Sequence, residues 1–399
     1  MNQKPFIAAG IDAGAARTRC VLCRMDGSRV HFLGAGSTES AGWEKSRIVD
    51  QQAVSRCILK AVQQAEAMAG VQIETITASF GGLTSRGANT RSRSEFGRPR
   101  EITQADVNRA MKNALRVALA DDRMVLQLLP QDFVVDDHPG HRDPRKMLGS
   151  VLEANAHVVM ASVMEHNALV GAVNQSHLLV DETVYDAFAA AYSAGLPEPR
   201  AEGVAVLDIG AQSSELVVYF GNALQLASTI GLSGDHFTND IAHFLRVSFP
   251  DAQDIKEQFG SVVPESTTEV SYIELPAREG QAIREGSRWK INQVLQARAH
   301  QLFALVEREL ARVGMERALT GGLVLTGGGA LLHGLIDLAE QELHCPAWLG
   351  LPRNIVGWPD ELNDPSWTTA AGLAKYSARL RTQVDLERQS IGLLGRILQ

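Results

Sequence analysis

The sequence has few cysteines and no long apolar run. Its 4 cysteines among 399 residues are too few for the disulfide framework of a small secreted domain. No segment reaches the roughly 18 consecutive apolar residues of a membrane-spanning helix, and no apolar stretch follows a basic start as it does in a signal peptide. These absences predict a protein whose body lies in the cytoplasm.

Basic charge is also in short supply. The chain carries 38 basic and 46 acidic residues, a net charge of −8, whereas neutralising a nucleic-acid backbone needs clustered Lys and Arg. We therefore expect no nucleic acid among its partners. With 45% hydrophobic and 21% charged residues, the composition is that of a globular protein, and the length suits two or three domains.

Cys20 and Cys23 form a CxxC pattern, which invites a zinc or redox interpretation. They lie in RTRCVLCRM, a predicted strand, where residues three apart point to opposite faces. The sequence has no second CxxC or CxxH that could complete a tetrahedral metal site. The pattern therefore disfavours a metal or redox function for this pair.

Two stretches of the chain share one layout. AAGIDAGAARTRCVL near the start and AVLDIGAQSSELVVY at 205–219 both consist of an apolar strand, Asp, any residue, Gly, a small or polar loop and a second apolar strand. The repeat lies 196 residues further along the chain. An internal repeat of this size predicts two similar α/β lobes that face each other across a cleft.

An arginine-rich stretch, GGLTSRGANTRSRSEFGRPR, begins at Gly81 between the two repeats. We interpret it as a solvated, partly mobile hairpin; the alternative is a surface for an acidic partner such as a phospholipid headgroup or a neighbouring subunit. A helix that begins after Thr103 and two strands follow it. Together they predict a small inserted subdomain between residues 82 and 158.

The repeated Asp-x-Gly turns are the first candidate site. Gly14 and Gly210 would present backbone N–H groups to an anion, and Asp12 and Asp208 stand where a hard cation would bridge to phosphates through water. Each turn alone could be simply a turn. As a matched pair, the two turns could clamp the phosphate tail of a nucleotide.

Three consecutive glycines, Gly327, Gly328 and Gly329, end a predicted buried strand, and we expect a helix to begin at once after them. Such a bend lets the backbone approach a flat ligand such as adenine or ribose. The alternative is a close strand–helix turn with no ligand. Lys256 and Glu257, on a predicted helix, could cover the base and hydroxyls of a nucleoside or could simply belong to a solvated face.

These four elements resemble the nucleotide site of the actin, Hsp70 and sugar-kinase superfamily. They correspond to phosphate-1 (Gly10–Thr18), phosphate-2 (Leu207–Glu215), the adenosine motif (Gly322–Gly334) and the Lys256–Glu257 helix. YDAFAAAYSAG at 185–195 resembles the helix that links the lobes. Within it, Asp186 stands where Hsp70-like members carry a catalytic Glu.

Within this superfamily the chain resembles the FtsA family over residues 6–378. The resemblance is carried by GWEKSRIVD (42–50), LLPQDFVVDD (128–137), EHNALVGAVNQ (165–175), NDIAHFL (239–245) and GLVLTGGGALLHGL (322–335). It implies a two-lobed, actin-like (ribonuclease H-like) α/β fold with an inserted 1C subdomain of the SHS2 type. The implied subdomains are 1A (1–81 and 160–198), 1C (82–159), 2A (199–235 and 319–380), 2B (236–318) and a C-terminal membrane-targeting segment (381–399).

The resemblance also implies ligands and partners. ATP and Mg²⁺ are the implied cofactors, with the metal held through water by Asp12 and Asp208. The implied nucleotide-contacting residues are Asp12, Gly14, Ala15, Ala16, Arg17, Gly210, Ala211, Gln212, Ser213, Lys256, Glu257, Gly327, Gly328 and Gly329. FtsA proteins polymerise, bind the tubulin-like FtsZ through subdomain 2B, where Arg298 aligns with an implicated position, and act at the division site on the inner face of the cytoplasmic membrane.

Both phosphate turns depart from the family pattern. The first usually has hydroxyl residues and a lysine, where this chain has Ala15, Ala16 and Arg17. The second usually has glycines at the positions of Ala211 and Gln212, and a positive φ there would strain the turn. Whether ATP is hydrolysed stays open, and a nucleotide-binding scaffold without hydrolysis is an alternative.

The C-terminal segment has an amphipathic pattern. Ile391, Leu394 and Leu398 recur at i, i+3 and i+7, beside Leu393 and Ile397. Residues 375–399 carry five basic and two acidic residues, which favours binding to anionic lipid. The alternative is a helix that packs on its own domain.

Two further functions fit the same fold. A pilus-assembly adaptor resembling PilM would lack the amphipathic tail. A kinase for a small substrate would need efficient phosphate turns and a substrate loop, which the sequence does not suggest.

Overall fold

The computed structural model describes residues 6–115, 119–196, 202–276 and 284–381. The strands within these ranges are β1 (Ile7–Ala13), β2 (Arg17–Asp26), β3 (Arg29–Glu39), β4 (Trp43–Glu44), β5 (Arg47–Ile48), β6 (Thr75–Phe80), β7 (Arg86–Glu101), β8 (Arg123–Val135), β9 (His138–His141), β10 (Leu148–Ser162), β11 (Leu179–Tyr185), β12 (Val204–Ile209), β13 (Ser214–Phe220), β14 (Ala223–Ile230), β15 (Tyr272–Leu275), β16 (Arg284–Ser287), β17 (Leu323–Thr326) and β18 (Ala347–Leu349). The helices are α1 (Gln51–Ala69), α2 (Gln104–Ala114), α3 (Val163–Gln175), α4 (Asp186–Ser193), α5 (Gly234–Leu245), α6 (Phe249–Phe259), α7 (Arg288–Arg312), α8 (Leu335–Leu343) and α9 (368–381).

The described residues fall into two compact units. Unit 1 is drawn from Met1–Phe80, Glu165–Leu196 and Gly350–Gln399, and unit 2 from Gly81–Met164 and Pro197–Leu349. The division departs from the predicted 2A range of 319–380, because residues from 350 onward pack within unit 1.

Unit 1 contains a five-stranded sheet in the order β11-β6-β1-β2-β3. Helix α1 packs on it through apolar residues at helical spacing, among them the fully buried Ile58 and Ala61. Its ends follow the sequence signals: the Asp50 side chain accepts the Ala53 N–H at the N-terminus, and Gly70 closes the C-terminus at a φ of 66°.

Unit 2 repeats this arrangement. Its nine-stranded sheet begins β18-β17-β12-β13-β14, and these five strands correspond one by one to β11-β6-β1-β2-β3 of unit 1. In both, the first strand of the repeat pairs antiparallel with the next strand and parallel with a later one. The predicted duplication is therefore confirmed at the level of sheet topology.

The remaining strands of that sheet, β7-β10-β8-β9, form the insert. Helix α2 covers one face through Ala110, which lies in a core cluster with Phe133 and Leu152. The insert joins the duplicated part of the sheet through the ladder pair Arg86–Ser228.

The expected arginine-rich hairpin is wrong: β7 is one strand of 16 residues. It pairs with β10 along most of its length, and three of its five arginines have carboxylate partners. Arg91 and Arg93 bind the buried Glu153, and Arg100 makes two hydrogen bonds to Asp106. These ion pairs offset the mutual repulsion of arginines that lie on one strand.

No helix among the described residues is long and apolar enough to span a bilayer.

Two glycines, one in α9 and one in β1, allow α9 to pack closely against the backbone of the other elements of unit 1. A Cβ at Gly372 would lie 1.9 Å from the Ala189 carbonyl oxygen of α4, and one at Gly10 would lie 2.4 Å from the Ala374 nitrogen. These separations are far below van der Waals contact. Glycine is therefore what lets α9 lie against both α4 and β1.

We predict that Gly372→Ala lowers the free energy of unfolding by about 2 kcal/mol or more, because the methyl group must displace backbone. Gly171→Ala in α3 is the matched control: it is also a helical glycine, but its Cβ would meet only the flexible end of Gln51, at 3.3 Å. It should leave stability unchanged or raise it by up to about 1 kcal/mol. Urea unfolding measures both, and equal effects would contradict the packing argument.

Candidate functional site

The first phosphate turn joins β1 to β2. Asp12 lies opposite Arg19 in the ladder, is partly exposed and accepts a hydrogen bond from the Ser79 hydroxyl at 3.1 Å. A Cβ on Gly14 would lie 2.9 Å from the Arg17 carbonyl oxygen. The turn is therefore too tight for a side chain at this position.

The other predicted residues of this turn are open to solvent to different degrees. Ala15 is partly exposed, and Ala16 and Arg17 are exposed. The Ala16 carbonyl accepts the Ser40 N–H at 2.9 Å. Arg17 donates from Nε to the Ser37 hydroxyl at 3.2 Å, so its guanidinium group lies against β3.

The second phosphate turn joins β12 to β13 and has the same geometry. Asp208 is buried and lies opposite Glu215. The Gly210 N–H donates to the Ser213 carbonyl at 3.0 Å, and a Cβ on Gly210 would lie 2.8 Å from that oxygen. Neither Ala211 nor Gln212 has a positive φ, so the strain considered for these positions is absent.

The N-terminus of α5 fastens this turn. The Gly234 N–H donates to the Gly210 carbonyl at 2.9 Å, and the Asp235 N–H donates to the Ala211 carbonyl at 2.8 Å. The Ser233 hydroxyl donates to the same Ala211 carbonyl at 2.7 Å. Three hydrogen bonds therefore position two consecutive carbonyl groups of the turn.

Gln212 and Lys256 meet near Asp235. Burial raises the pKa of the Asp235 carboxylate above its ordinary value, against the opposing effects of the Lys256 charge and of the nearby Gln212 side chain. Lys256 donates from Nζ to the Thr238 hydroxyl at 2.7 Å and to the Gly234 carbonyl at 3.2 Å. Burial lowers the pKa of Lys256 to about 8, despite the attraction of Asp235 and Glu257.

The triple-glycine bend packs on the end of β12. Gly327 has a φ of 78°, and a Cβ there would lie 2.2 Å from Asp208 Oδ1; a Cβ on Gly329 would lie 2.3 Å from the Ile209 side chain. Gly328 is exposed. The expected immediate helix is wrong: a short 3₁₀ turn follows, and α8 begins at Leu335.

The remaining predicted residues lie apart from this turn or in the other unit. Glu257 is exposed and accepts a hydrogen bond from Gln253. Arg298, on α7, makes a bidentate ion pair with Asp240 of α5 at 2.6 and 2.7 Å. Asp186 is the partly buried first residue of α4 in unit 1.

Within unit 2 the structure thus brings together Asp208, the turn 210–213, Lys256 and the triple glycine. Sequence reasoning missed Ser233 and Asp235, which complete this cluster. A serine followed by glycine and an acid directly after a predicted strand is a helix-start signal that could have found them.

The CxxC cysteines are both buried in the sheet of unit 1. Burial raises the pKa of both thiols, that of Cys23 to about 12. Across the ranges that the structure describes, no cluster of three or more His, Cys, Asp or Glu side chains could hold a metal ion. The predicted membrane residues, Ile391, Leu393, Leu394, Ile397 and Leu398, lie outside the described residues.

Two family models match the chain. The model described as cell division protein FtsA matches residues 205–372. The model described as the SHS2 domain inserted in FtsA matches residues 82–160, the region of the strand–helix–strand insert.

Curated relatives match over almost the full length. The chain is 31% identical over 393 residues to cell division protein FtsA of Pseudomonas aeruginosa, covering 98% of this chain and 92% of that protein. It is 29% identical over 404 residues to FtsA of Escherichia coli K12, covering 98% and 95%.

Solved structures share the fold. A type IV pilus biogenesis complex of PilM and PilN matches with a TM-score of 0.69 at 17% identity, covering 93% of this chain and 98% of that chain. MreB5 of Spiroplasma citri bound to ADP matches with a TM-score of 0.57 at 13% identity, covering 95% and 98%. The predicted actin-like α/β fold with an SHS2-type insert is confirmed.

The lowered pKa of Lys256 predicts a pH dependence of stability. Between about pH 8 and pH 10.5, the ordinary pKa of lysine, Lys256 keeps its proton in the unfolded chain but has lost it in the folded chain. The free energy of unfolding should therefore rise with pH in this window.

We predict that this rise is smaller in Lys256→Met than in the unchanged protein by about 1–3 kcal/mol. Lys290→Met, at an exposed position on α7, is the matched control and should retain the full rise. Urea unfolding at pH 7, 8, 9 and 10 measures it. Identical pH profiles for Lys256→Met and the control would contradict the burial of the ammonium group.

Proposed function

Because the chain belongs to the FtsA family of cell-division proteins, we propose that it binds ATP with Mg²⁺, self-associates and tethers FtsZ filaments to the inner face of the cytoplasmic membrane. The observation that carries this proposal is the similarity to FtsA over 98% of the chain. That similarity runs through both repeated halves and the insert. The amphipathic pattern of residues 391–398 supports the membrane part of the role.

The chemistry of the two turns fits a nucleotide. Each turn has a glycine at a position where a Cβ would lie less than 3 Å from a carbonyl oxygen. In each turn an aspartate precedes that glycine by two residues. ATP phosphates would be bound by backbone groups of these turns, and Mg²⁺ would neutralise phosphate charge and be held through water by Asp12 and Asp208. Lys256 and the triple glycine would contact the nucleoside.

The PilM-like alternative has weaker support. The PilM–PilN complex resembles the chain in fold at 17% identity, and likeness at this level carries no function. The tail pattern also favours a membrane-bound role over this alternative.

We predict that Asp12→Asn weakens Mg²⁺-dependent binding of a fluorescent ATP analogue by about 10-fold or more, since it removes one charge at the metal. Asparagine keeps an oxygen acceptor for Ser79, so the change isolates the charge. Asp254→Asn, at an exposed position on α6, is the control and should bind as the unchanged protein does. Undiminished binding by Asp12→Asn would contradict the assigned metal role, and no binding by the unchanged protein would contradict the ATP proposal.

We predict that the protein carries FtsZ polymers into the pellet with vesicles containing anionic lipid, with ATP present. Leu394→Asp should leave both proteins in the supernatant, because it places a charge in the apolar stripe. Gln389→Asp adds the same charge N-terminal to the stripe and is the matched control. If Leu394→Asp pellets as well as the control, the tail does not anchor the protein. If this protein pellets with the vesicles while FtsZ stays in the supernatant, the partner assignment fails.

A further inference from the structure

The end of the adenosine motif is tied to the segment that follows α6. Ser261 and His333 form an isolated parallel bridge, and the Val262 N–H donates to the His333 carbonyl at 2.9 Å. Beside this bridge, a Cβ on Gly334 would lie 2.4 Å from the Val263 side chain. The two segments are therefore in direct contact.

The Ser261 hydroxyl is the centre of the side-chain contacts at this bridge. It is hydrogen-bonded to the His333 ring, at 3.0 Å from Nδ1, and it accepts the Val263 N–H at 3.0 Å. Ser261 is 2% exposed, so water competes little for these hydrogen bonds. One small buried side chain therefore links both segments of the bridge.

Helix α7 holds Ser261 and the end of α6 in place. The Ser261 N–H donates to Oδ1 of Asn292 on α7 at 3.0 Å, and Asn292 is completely buried. Arg288, also on α7, donates from Nε to the Phe259 carbonyl at the end of α6 at 2.9 Å. His333, in contrast, is exposed and lies in the loop before α8. Ser261 is therefore the anchored partner of the pair, and His333 belongs to the part that it holds.

The bridge joins the two segments that are proposed to contact the nucleoside. Lys256 lies on α6 five residues before Ser261, and the triple glycine ends four residues before His333. When two segments that contact one ligand are already tied together, the ligand does not have to order them on binding. The bridge is thus placed where it can preform a site for adenine and ribose.

We propose that Ser261 and His333 form a strap that holds the adenosine loop, residues 327–334, against the end of α6 and so preforms the nucleoside part of the ATP site. Both are positioning residues, because they act through the backbone of this loop. The role in ATP binding rests on the proposed function. The strap itself is a property of the protein without ligand.

The strap affects the nucleoside and the phosphates differently. The two phosphate turns are held by other contacts, from β3 in unit 1 and from the first turn of α5 in unit 2. Loss of the strap should therefore weaken the contribution of adenine and ribose to binding and leave that of the triphosphate unchanged. A change that merely loosened the whole of unit 2 would weaken both contributions.

Amide hydrogen exchange of the full chain without nucleotide tests the strap, with the N–H groups of Val262 and Val263 as reporters. We expect about 3- to 10-fold faster exchange in His333→Ala, as for the loss of one hydrogen bond. His333→Asn can place an amide atom close to the position of Nδ1 and should restore most of the protection. His243→Ala, at an exposed position on α5, is the control. Exchange in His333→Ala within about 2-fold of this control would overturn the strap.

Ser261→Ala removes the other partner of the same hydrogen bond. It should also speed exchange of the Val262 N–H, and the double variant with His333→Ala should exchange no faster than the faster single variant, since both remove one contact. Ser266→Ala, at an exposed position on the same segment, is the matched control and should exchange as the unchanged protein does. Additive effects in the double variant would overturn the strap, because they would mean that the two side chains act independently.

Competition against a fluorescent ATP analogue, with Mg²⁺ present, tests the role in nucleoside binding. We expect His333→Ala to raise the dissociation constant of ATP about 3- to 10-fold and to leave that of inorganic tripolyphosphate unchanged, because only ATP has a nucleoside. His333→Asn should restore the affinity for ATP. Equal losses for both competitors, or no loss for ATP, would overturn the nucleoside role. If the analogue does not bind the unchanged protein, the proposed function fails, and the exchange rates at Val262 and Val263 still decide the strap.

Discussion

The structure of unit 2 depends on how closely two pieces of backbone approach the end of β12 and the turn that follows it. The triple glycine presses on Asp208 and Ile209 at distances that no Cβ could occupy, and the first turn of α5 donates hydrogen bonds to the next two carbonyls. Such contacts are sensitive to distance, because both steric repulsion and hydrogen-bond strength change steeply within a few tenths of an ångström. The conformation of residues 208–213 therefore depends on the surrounding elements as well as on its own Asp-x-Gly sequence.

The phosphate turns of the two repeated halves are held in place by different side chains. In both turns the glycine of the Asp-x-Gly pattern has no room for a Cβ, because the carbonyl oxygen of the residue three positions later lies too close. The first turn is then fixed by β3 and the residue after it, where Ser40 donates to Ala16 and Ser37 accepts from Arg17. The second turn is fixed by a helix and its acidic first turn. Duplication preserved the strand order, while the contacts that hold each turn diverged.

The insert shows how composition can mislead. Its arginines indicated a solvated loop, yet they lie along a strand inside the sheet, where Glu153 on β10 and Asp106 on α2 accept hydrogen bonds from three of them. Both carboxylates are buried among paired cations, and such pairs are stabilised by attraction that a count of charges along the chain cannot register. Arg298 is similar: it was singled out as a partner-binding residue, and its fork is engaged by Asp240 within the unit.

Local signals in the sequence determined the elements. Apolar periodicity, the caps at Asp50 and Gly70 and the repeated Asp-x-Gly pattern located α1, the strands of both halves and the two turns, because these depend on neighbours only a few residues away. Tertiary structure decided the rest: that α9 joins unit 1, that β7 is a strand, and that the first turn of α5 donates hydrogen bonds to the second phosphate turn from 24 residues further along the chain. These outcomes depend on contacts between residues distant in sequence, whose free energy exists only once the backbone has brought them together.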